Sequence, residues 1–418
     1  MRLWRAMKGA RGRLALLFAV VGPGLITSNV DNDAGGIYTY SLCGARYGYA
    51  LLWLLVPVTV ALIIVQEMCA RMGTVTGRGL ADLIREHFGL RATFLIMMAV
   101  LFTNLGNAVA EFAGVASSME LFGISRYISV PLGAFFVWWL VVFGNYKSVE
   151  KAFLFACLLY LAYPLSGLLA HPDWGPALKA TLEPSAPLDI AGVAMMVGIV
   201  GTTIAPWMQF YLQSSIVEKR IPMSEYGKSR LDVIVGSVVA VIVAGFIVLC
   251  CAATLYKAGI TNVQSAADAA RALAPLAGRF AWILFALGLA NASLFAASIL
   301  PLATAYSVCE GLGLEAGVDR TFSEAPEFYS LYTAIIALSA GVILIPETPL
   351  LKIILISQVA NGILLPFVLI FMLILVNQTS LMGAYKNGRL YNIIAWATVV
   401  LLICLTGAMV VTSFVPSQ

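Results

Sequence analysis

Charge is what this chain has least of. Asp, Glu, Lys and Arg make up 11% of its 418 residues against 61% hydrophobic side chains, and the mean hydropathy is +0.93. So little polar surface cannot cover a water-soluble globule, which excludes soluble enzymes and leaves a polytopic membrane protein. Histidine is nearly absent: His87 and His171 are the two in the chain, both expected in loops, and neither is placed to ligate a metal in the core. The seven cysteines show no zinc-type spacing and lie mostly inside apolar stretches, where they read as packing residues. No basic patch is interleaved with aromatics, so nucleic acid is not an expected partner, and the net charge of +4 is accounted for by membrane topology.

What the chain does have is long apolar segments. They run approximately over Leu14–Leu42, Ala50–Met72, Ala92–Met119, Ile128–Tyr146, Ala152–Ala170, Ile190–Leu212, Val233–Leu255, Ala281–Cys309, Phe328–Ile345, Leu350–Val376 and Ile393–Phe414. Eleven spans put the termini on opposite sides and leave no room for a soluble domain, so residues 1–418 read as one transmembrane domain. Basic residues cluster before the first span (Arg2, Arg5, Lys8, Arg11, Arg13), after the second (Arg71, Arg78, Arg85, Arg91) and in the alternate loops that follow. The positive-inside rule then predicts a cell-membrane protein with a cytoplasmic N-terminus and an extracytoplasmic C-terminus. The first stretch is too long for a signal peptide and carries no small-residue cleavage pattern. Asn377-Gln378-Thr379 fits a glycosylation acceptor but falls on the cytoplasmic side.

Two of these segments are interrupted. In the first, Ser28-Asn29-Val30-Asp31-Asn32-Asp33-Ala34-Gly35-Gly36 puts two carboxylates, two amides and adjacent glycines where a spanning helix is apolar. An Asp at the bilayer centre costs roughly 2.5–3.5 kcal/mol on insertion scales, so such a pair faces a cavity, an ion or a partner. Glycines let the helix unwind, and freed carbonyls beside carboxylates are the oxygen ligands a hard cation takes. The sixth segment carries Gly201-Thr202-Thr203-Ile204-Ala205-Pro206-Trp207, where proline removes a helix hydrogen bond and leaves Thr202 and Thr203 carbonyls free to face inward. Breaks five spans apart are what two inverted five-helix repeats produce, with a substrate site at the midplane between them. The repeats would cover about 14–170 and 190–376, with an extra helix at about 393–414.

Other polar groups at membrane depth have two readings each. Glu111 on the third span is either a buried bundle residue or a pathway and proton group. Gln358 and Asn361 on the tenth either line an outward vestibule or make interhelical hydrogen bonds. Glu67 lies beside Arg71, where a local ion pair is expected.

Gly22-Pro23-Gly24 followed by Asp33-Ala34-Gly35-Gly36, then Thr76-Gly77-Arg78-Gly79-Leu80, Ala110-Glu111-Phe112, Ser357-Gln358-Val359 with Leu365-Pro366-Phe367, and Leu381-Met382-Gly383 occur in an order that resembles the Nramp superfamily of divalent metal transporters. The resemblance implies an all-α LeuT-type fold of two inverted repeats plus one helix, with helices 1 and 6 broken and Asp33 as the metal-binding aspartate. Departures from the family pattern matter as much. Gly36 stands in place of its metal-binding asparagine, Ala205 in place of its methionine and Trp207 in place of a histidine. Ala108 replaces an aspartate implicated in proton release, and the ninth span has no Lys or Arg. This set resembles the magnesium-transporting branch, although aluminium-transporting relatives also lack the methionine.

The expected function is therefore uptake of hydrated Mg²⁺, and Mn²⁺, by alternating access without proton coupling. Thioethers favour late transition metals, whereas carboxylate and carbonyl oxygens suit Mg²⁺ or Mn²⁺, and Mg²⁺ keeps several of its waters. The expected metal site comprises Asp33 with the Val30 and Thr202 carbonyls, room provided by Gly36 and Ala205, and contributions from Asp31 and Asn32. The expected pathway includes Glu111, Trp207, Gln358 and Asn361. The metal is cargo; no cofactor and no obligate protein partner is implied beyond the lipid bilayer. The alternatives are a proton-coupled transition-metal or aluminium transporter, a cation channel, and an intramembrane enzyme using Asp31 and Asp33 as an acid/base pair. Asp33→Asn should abolish or strongly weaken Mg²⁺ and Mn²⁺ uptake into liposomes while the protein stays monodisperse; uptake at wild-type affinity would remove Asp33 from the site.

Overall fold

A computed structural model describes residues 22–185, 190–261, 263, 268–270, 279–346 and 350–413, and every regular element among them is helical. The first half contains α1 (Pro23–Val30), α2 (Ala34–Tyr47), α3 (Leu55–Thr76), α4 (Leu80–Leu121), α5 (Arg126–Val142), α6 (Tyr146–Leu159), α7 (Ala162–Leu169) and α8 (Trp174–Leu182). The second contains α9 (Ile190–Thr203), α10 (Pro206–Glu218), α11 (Tyr226–Cys251), α12 (Arg279–Leu312), α13 (Pro326–Leu344), α14 (Leu350–Asn377), α15 (Thr379–Met382) and α16 (Arg389–Ser413). Among the described residues eight helical segments are long and apolar enough to cross a membrane, and Arg126–Val142 and Arg389–Cys404 are shorter apolar helices. Leu95, Phe102, Leu132, Phe135 and Phe143 stand exposed on the outside. An exterior of this kind fits hydrocarbon as its solvent.

Both interrupted segments are broken helices. Proline at the first position of α1 and again of α10 suits a helix start, because its missing N–H would have no partner there. Residues 31–33 separate α1 from α2, and Asp33, in an extended conformation, caps α2 by accepting from Gly36 N at 2.7 Å. The unwinding thus lies just before the adjacent glycines rather than at them. Gly35 and Gly36 fall in the first turn of α2, which the Asp33 cap holds helical. In the second break Ala205 is extended, as a residue preceding proline must be.

Several boundaries differ from those read along the sequence. The third apolar segment is the latter part of α4, which bends at Gly89, a residue at φ 80° that only glycine adopts freely. His87 lies on this helix rather than in a loop, its Nδ1 3.0 Å from Leu83 O, whereas His171 is in a turn. Tyr146 belongs to α6, whose start is capped by Asn145 accepting from Ser148 N at 2.9 Å. The fifth segment is two helices, α6 and α7, parted at Tyr160-Leu161. Pro164 has no N–H to return to Tyr160 O. Residues 14–21 of the first segment and the basic residues before it lie outside the described residues.

The four broken-helix pieces sit inside a surround of long helices. α11 packs on α1 and α2, α3 and α12 on α10, α14 and α16 on α9, and α4 runs along both α12 and α14. α1 meets α11 backbone to backbone. A Cβ on Gly24 would lie 2.7 Å from Val233 N, and one on Gly236 would lie 2.7 Å from Gly24 O. Small residues permit such approaches between membrane helices. The contact is fixed by buried Asp232 of α11, which accepts from Gly24 N at 2.8 Å and from Leu25 N at 3.2 Å, so a carboxylate from another helix satisfies the first turn of α1. Glu67 pairs with Arg71 at 3.2 Å and also accepts from the Tyr226 hydroxyl, tying α3 to α11.

Replacing Asp232 by alanine leaves the buried Gly24 N–H unpaired, at about 1–3 kcal/mol, and the part-buried Leu25 N–H with it. Asp232→Ala should lower the melting temperature in detergent by a few degrees and Asp232→Asn, which keeps an acceptor, by less. Equal melting of all three proteins would show that the cap is not holding α1.

Candidate functional site

The facing ends of α1/α2 and α9/α10 bring together oxygen atoms that a continuous helix would have consumed. In an unbroken first segment Val30 O would accept from Ala34 N; here Ala34 N donates instead to Glu111 Oε2 at 3.1 Å. In the second, the residue four beyond Thr202 is Pro206, which has no N–H to give. Val30 and Thr202 carbonyls therefore both lose their helical donors. Ala205 O is different. The Gln209 amide, with its nitrogen turned inward, donates to Ala205 O and Pro206 O at 2.7 Å each.

Gly36 marks where the groups converge. The position a Cβ would take there is 2.5 Å from Asp31 O, 3.4 Å from Asp33 Oδ1 and 3.4 Å from Thr202 Oγ1. Oxygens from both broken helices thus line one small space that glycine leaves open. Asp31, Asp33, Val30, Thr202 and Ala205, at the two breaks, are all buried, none more than 7% exposed. Asp31 Oδ1 has no hydrogen-bond partner at all. Among the described residues, Asp31, Asp33 and Glu111 have no Lys or Arg ion-pair partner, although all three are buried carboxylates. No three His, Cys, Asp or Glu side chains among the described residues come together as a metal cluster. An ion held here would rest on two carboxylates supplemented by backbone and hydroxyl oxygens.

The remaining residues singled out from sequence divide. Asn32 turns its amide to α11, donating to Ala240 O at 3.0 Å, which takes its nitrogen away from the cradle. Glu111 lies behind the cradle as a partner of the α2 N-terminus. Trp207 is buried in the first turn of α10 with its ring 6.4 Å from that of Tyr211. Asn361 forms a reciprocal amide pair with Asn107, 3.2 Å in each direction, so it joins α14 to α4 and is not a free vestibule group. Gln358 is on α14, outside the side chains described. Sequence reasoning passed over Tyr40, whose hydroxyl is 2.7 Å from Thr203 Oγ1. The signal was available, since residue 40 is two helical turns beyond Asp33 on the same face.

Comparison with known proteins follows the same lines. The family profile described as natural resistance-associated macrophage protein-like, Nramp, matches residues 24–412. The divalent metal cation transporter MntH of Ralstonia nicotianae is 31% identical over 405 residues, covering 91% of this chain and 88% of that protein. MntH of Deinococcus radiodurans is 27% identical over 417 residues, covering 96% and 92%. Among solved structures, a manganese transporter of Eremococcus coleocola matches with a TM-score of 0.80 at 22% identity, covering 96% of this chain and 89% of that one. The nucleobase-cation-symport-1 family transporter Mhp1 matches with a TM-score of 0.57 at 14% identity, covering 93% and 92%. These structures share the fold, which is LeuT-like. The matched Nramp relatives are metal transporters and not enzymes, so the acid/base reading of Asp31 and Asp33 is set aside. The chain is a multi-pass membrane protein and belongs to the Nramp family.

Proposed function

We propose that this protein carries divalent metal cations by alternating access, with Mg²⁺ as its principal substrate, Mn²⁺ also accepted, and no coupling to protons. The observation that carries the reading is the space at Gly36, where Asp31 O, Asp33 Oδ1 and Thr202 Oγ1 converge among buried carboxylates that have no basic partner. Buried negative charge of this kind is stable when a cation neutralises it. The names of the matched relatives, divalent metal cation and manganese transporters, support the substrate class.

Preference for a hard ion follows from the donor set. Ala205 supplies no thioether, and its carbonyl is engaged by Gln209, so soft ligation is absent from this side of the cradle. Asp33 acts as principal ligand or water acceptor, the Val30 and Thr202 carbonyls as further oxygens, and Asp31 as a second charge. Mg²⁺ sheds water reluctantly, and a cradle that presents acceptors suits an ion that arrives with waters to donate. Asparagine at position 36, as the family pattern has it, would press on Asp31 O unless residues 31–33 moved. The path of residues 31–33 and the glycine therefore belong together.

Absence of proton coupling is supported by Ala108, by Trp207 and by α13, which contains no Lys or Arg. Glu111 is engaged in capping α2. Voltage suffices as the driving force: about 2.3 kcal/mol per charge per 100 mV gives about 4.6 kcal/mol for a divalent ion, on the order of a thousandfold accumulation. In this reading the chain crosses the membrane eleven times, with α1/α2 and α9/α10 as the broken spans of two inverted repeats, about 14–170 and 190–376. The helix at about 393–414 is additional, the N-terminus is cytoplasmic, and metal ions are the sole partners besides lipid. The rival reading is a proton-coupled transition-metal carrier.

Uptake into proteoliposomes separates the two. Mg²⁺ or Mn²⁺ uptake should leave a lumenal pH dye unchanged and should follow an imposed membrane potential; concentrative Mn²⁺ uptake driven at zero potential by a pH gradient alone would overturn the reading. Gly36→Ala places a methyl group in the cradle. Overpacking by one methyl costs about 1–3 kcal/mol, so Mg²⁺ uptake at subsaturating concentration should fall about tenfold or more in a protein that still elutes as a folded species. Unchanged uptake would take the cradle off the transport path.

A further inference from the structure

Tyr40 of α2 and Thr203 of α9 join the two broken helices through their hydroxyls. Asp33, Gly36, Ile37 and Tyr40 follow one another at the i, i+3, i+4 and i+7 spacing that lines a single helix face, so Tyr40 projects from the face of α2 that carries Asp33 and Gly36, about two turns further along. Its side chain is fully buried. Thr203, also buried, is the last residue of α9 and adjoins Thr202, whose hydroxyl lines the cradle. The two hydroxyls are 2.7 Å apart. Thr203 Oγ1 already gives its proton to Ile199 O at 2.6 Å, so in this contact it accepts, and the Tyr40 hydroxyl is the donor.

The direction of that bond has a structural meaning. At the end of α9 the backbone has no further helical donors to hold it, because the next helix begins with Pro206. Thr203 is anchored downward to its own helix through Ile199 O and sideways to α2 through Tyr40. The pair therefore spans the two broken helices beside their ligand oxygens, Asp33 Oδ1 on one and Thr202 Oγ1 on the other. Setting the distance between those oxygens sets the size of ion, or of hydrated ion, that both can touch.

We propose that Tyr40, acting through Thr203, is a positioning residue that fixes ion-size selectivity of the Gly36 cradle. The proposal rests on the cation-site reading given above. Tyr40→Phe and Thr203→Val remove the bond from opposite sides with little change of shape. In proteoliposomes the ratio of Mg²⁺ to Ca²⁺ transport efficiency should fall about fivefold in each, the equilibrium equivalent of one buried hydrogen bond, with the change in KM rather than in maximal rate. Thr203→Val also gives up the bond to Ile199 O, so the double variant should be no worse than Thr203→Val alone, in which the Tyr40 bond is already lost.

An unchanged Mg²⁺ to Ca²⁺ ratio in folded Tyr40→Phe or Thr203→Val, even with lowered melting temperature, would reduce the pair to a structural contact and overturn the proposal. Additive losses in the double variant would overturn it too. Asp33→Ala, measured alongside, separates the two levels. If it abolishes uptake while Tyr40→Phe keeps the wild-type ratio, the cation site stands and the positioning role falls. If Asp33→Ala transports like the wild type, both fall.

Discussion

A helix can be interrupted inside hydrocarbon if each backbone group it frees finds a partner, and the way that condition is met decides the character of this site. At the first break the freed donors are taken by carboxylates: Gly36 N by Asp33 and Ala34 N by Glu111. At the second, Pro206 removes a donor outright, and the Gln209 amide attends to the Ala205 and Pro206 carbonyls. What is left over on both sides is acceptors, the Val30 and Thr202 carbonyls with the oxygens of Asp31 and Asp33. The imbalance is built by backbone bookkeeping before any ion is considered. An environment rich in acceptors and stripped of donors is electronegative whatever its occupant, and everything else in the bundle serves to hold the four helix ends in register.

Much of this was legible in the sequence, for reasons that can be stated. Two runs of polar and helix-breaking residues in apolar segments stand out because the membrane tolerates neither without cause, and both are breaks in the structure. The Glu67 and Arg71 ion pair was legible because residues four apart share a helix face. What escaped were the cross-chain relations. Asp232 is more than 200 positions from the Gly24 amide it caps, and Tyr40 lies 163 from Thr203. Asn361 illustrates the limit well: its polarity flagged it, yet whether it met water or another amide depended on Asn107, which is on a different helix. The break falls within the run Ser28–Gly36, and its bounds depend on capping as well as on glycine, since a carboxylate N-cap keeps Gly35 and Gly36 helical.

Selectivity in such a site is a matter of what has been taken away. Gly36 and Ala205 are both small; at Gly36 the absent side chain leaves Asp31 O and Asp33 Oδ1 facing the space, whereas at position 205 the carbonyl is taken by Gln209. On the proposed reading the site gains room and loses softness together. In that reading, the pairing answers the chemistry of an ion that is small when bare but large when hydrated.

The seam between α1 and α11 has a mechanical corollary. Helices that interlock through side-chain ridges must unmesh them to tilt past one another, and the rotamers on both sides have to rearrange. Gly24 and Gly236 give α1 a smooth bearing instead, one backbone lying against another. Along it α1 is tied to α11 by the bonds that Asp232 accepts from two backbone N–H groups at the first turn and, one turn on, by the Ser28 and Ser237 hydroxyls, 3.4 Å apart. A short helix resting on such a bearing is held by a few polar catches rather than by interlocked side chains, and the carboxylate of Asp232 is the charged one among them.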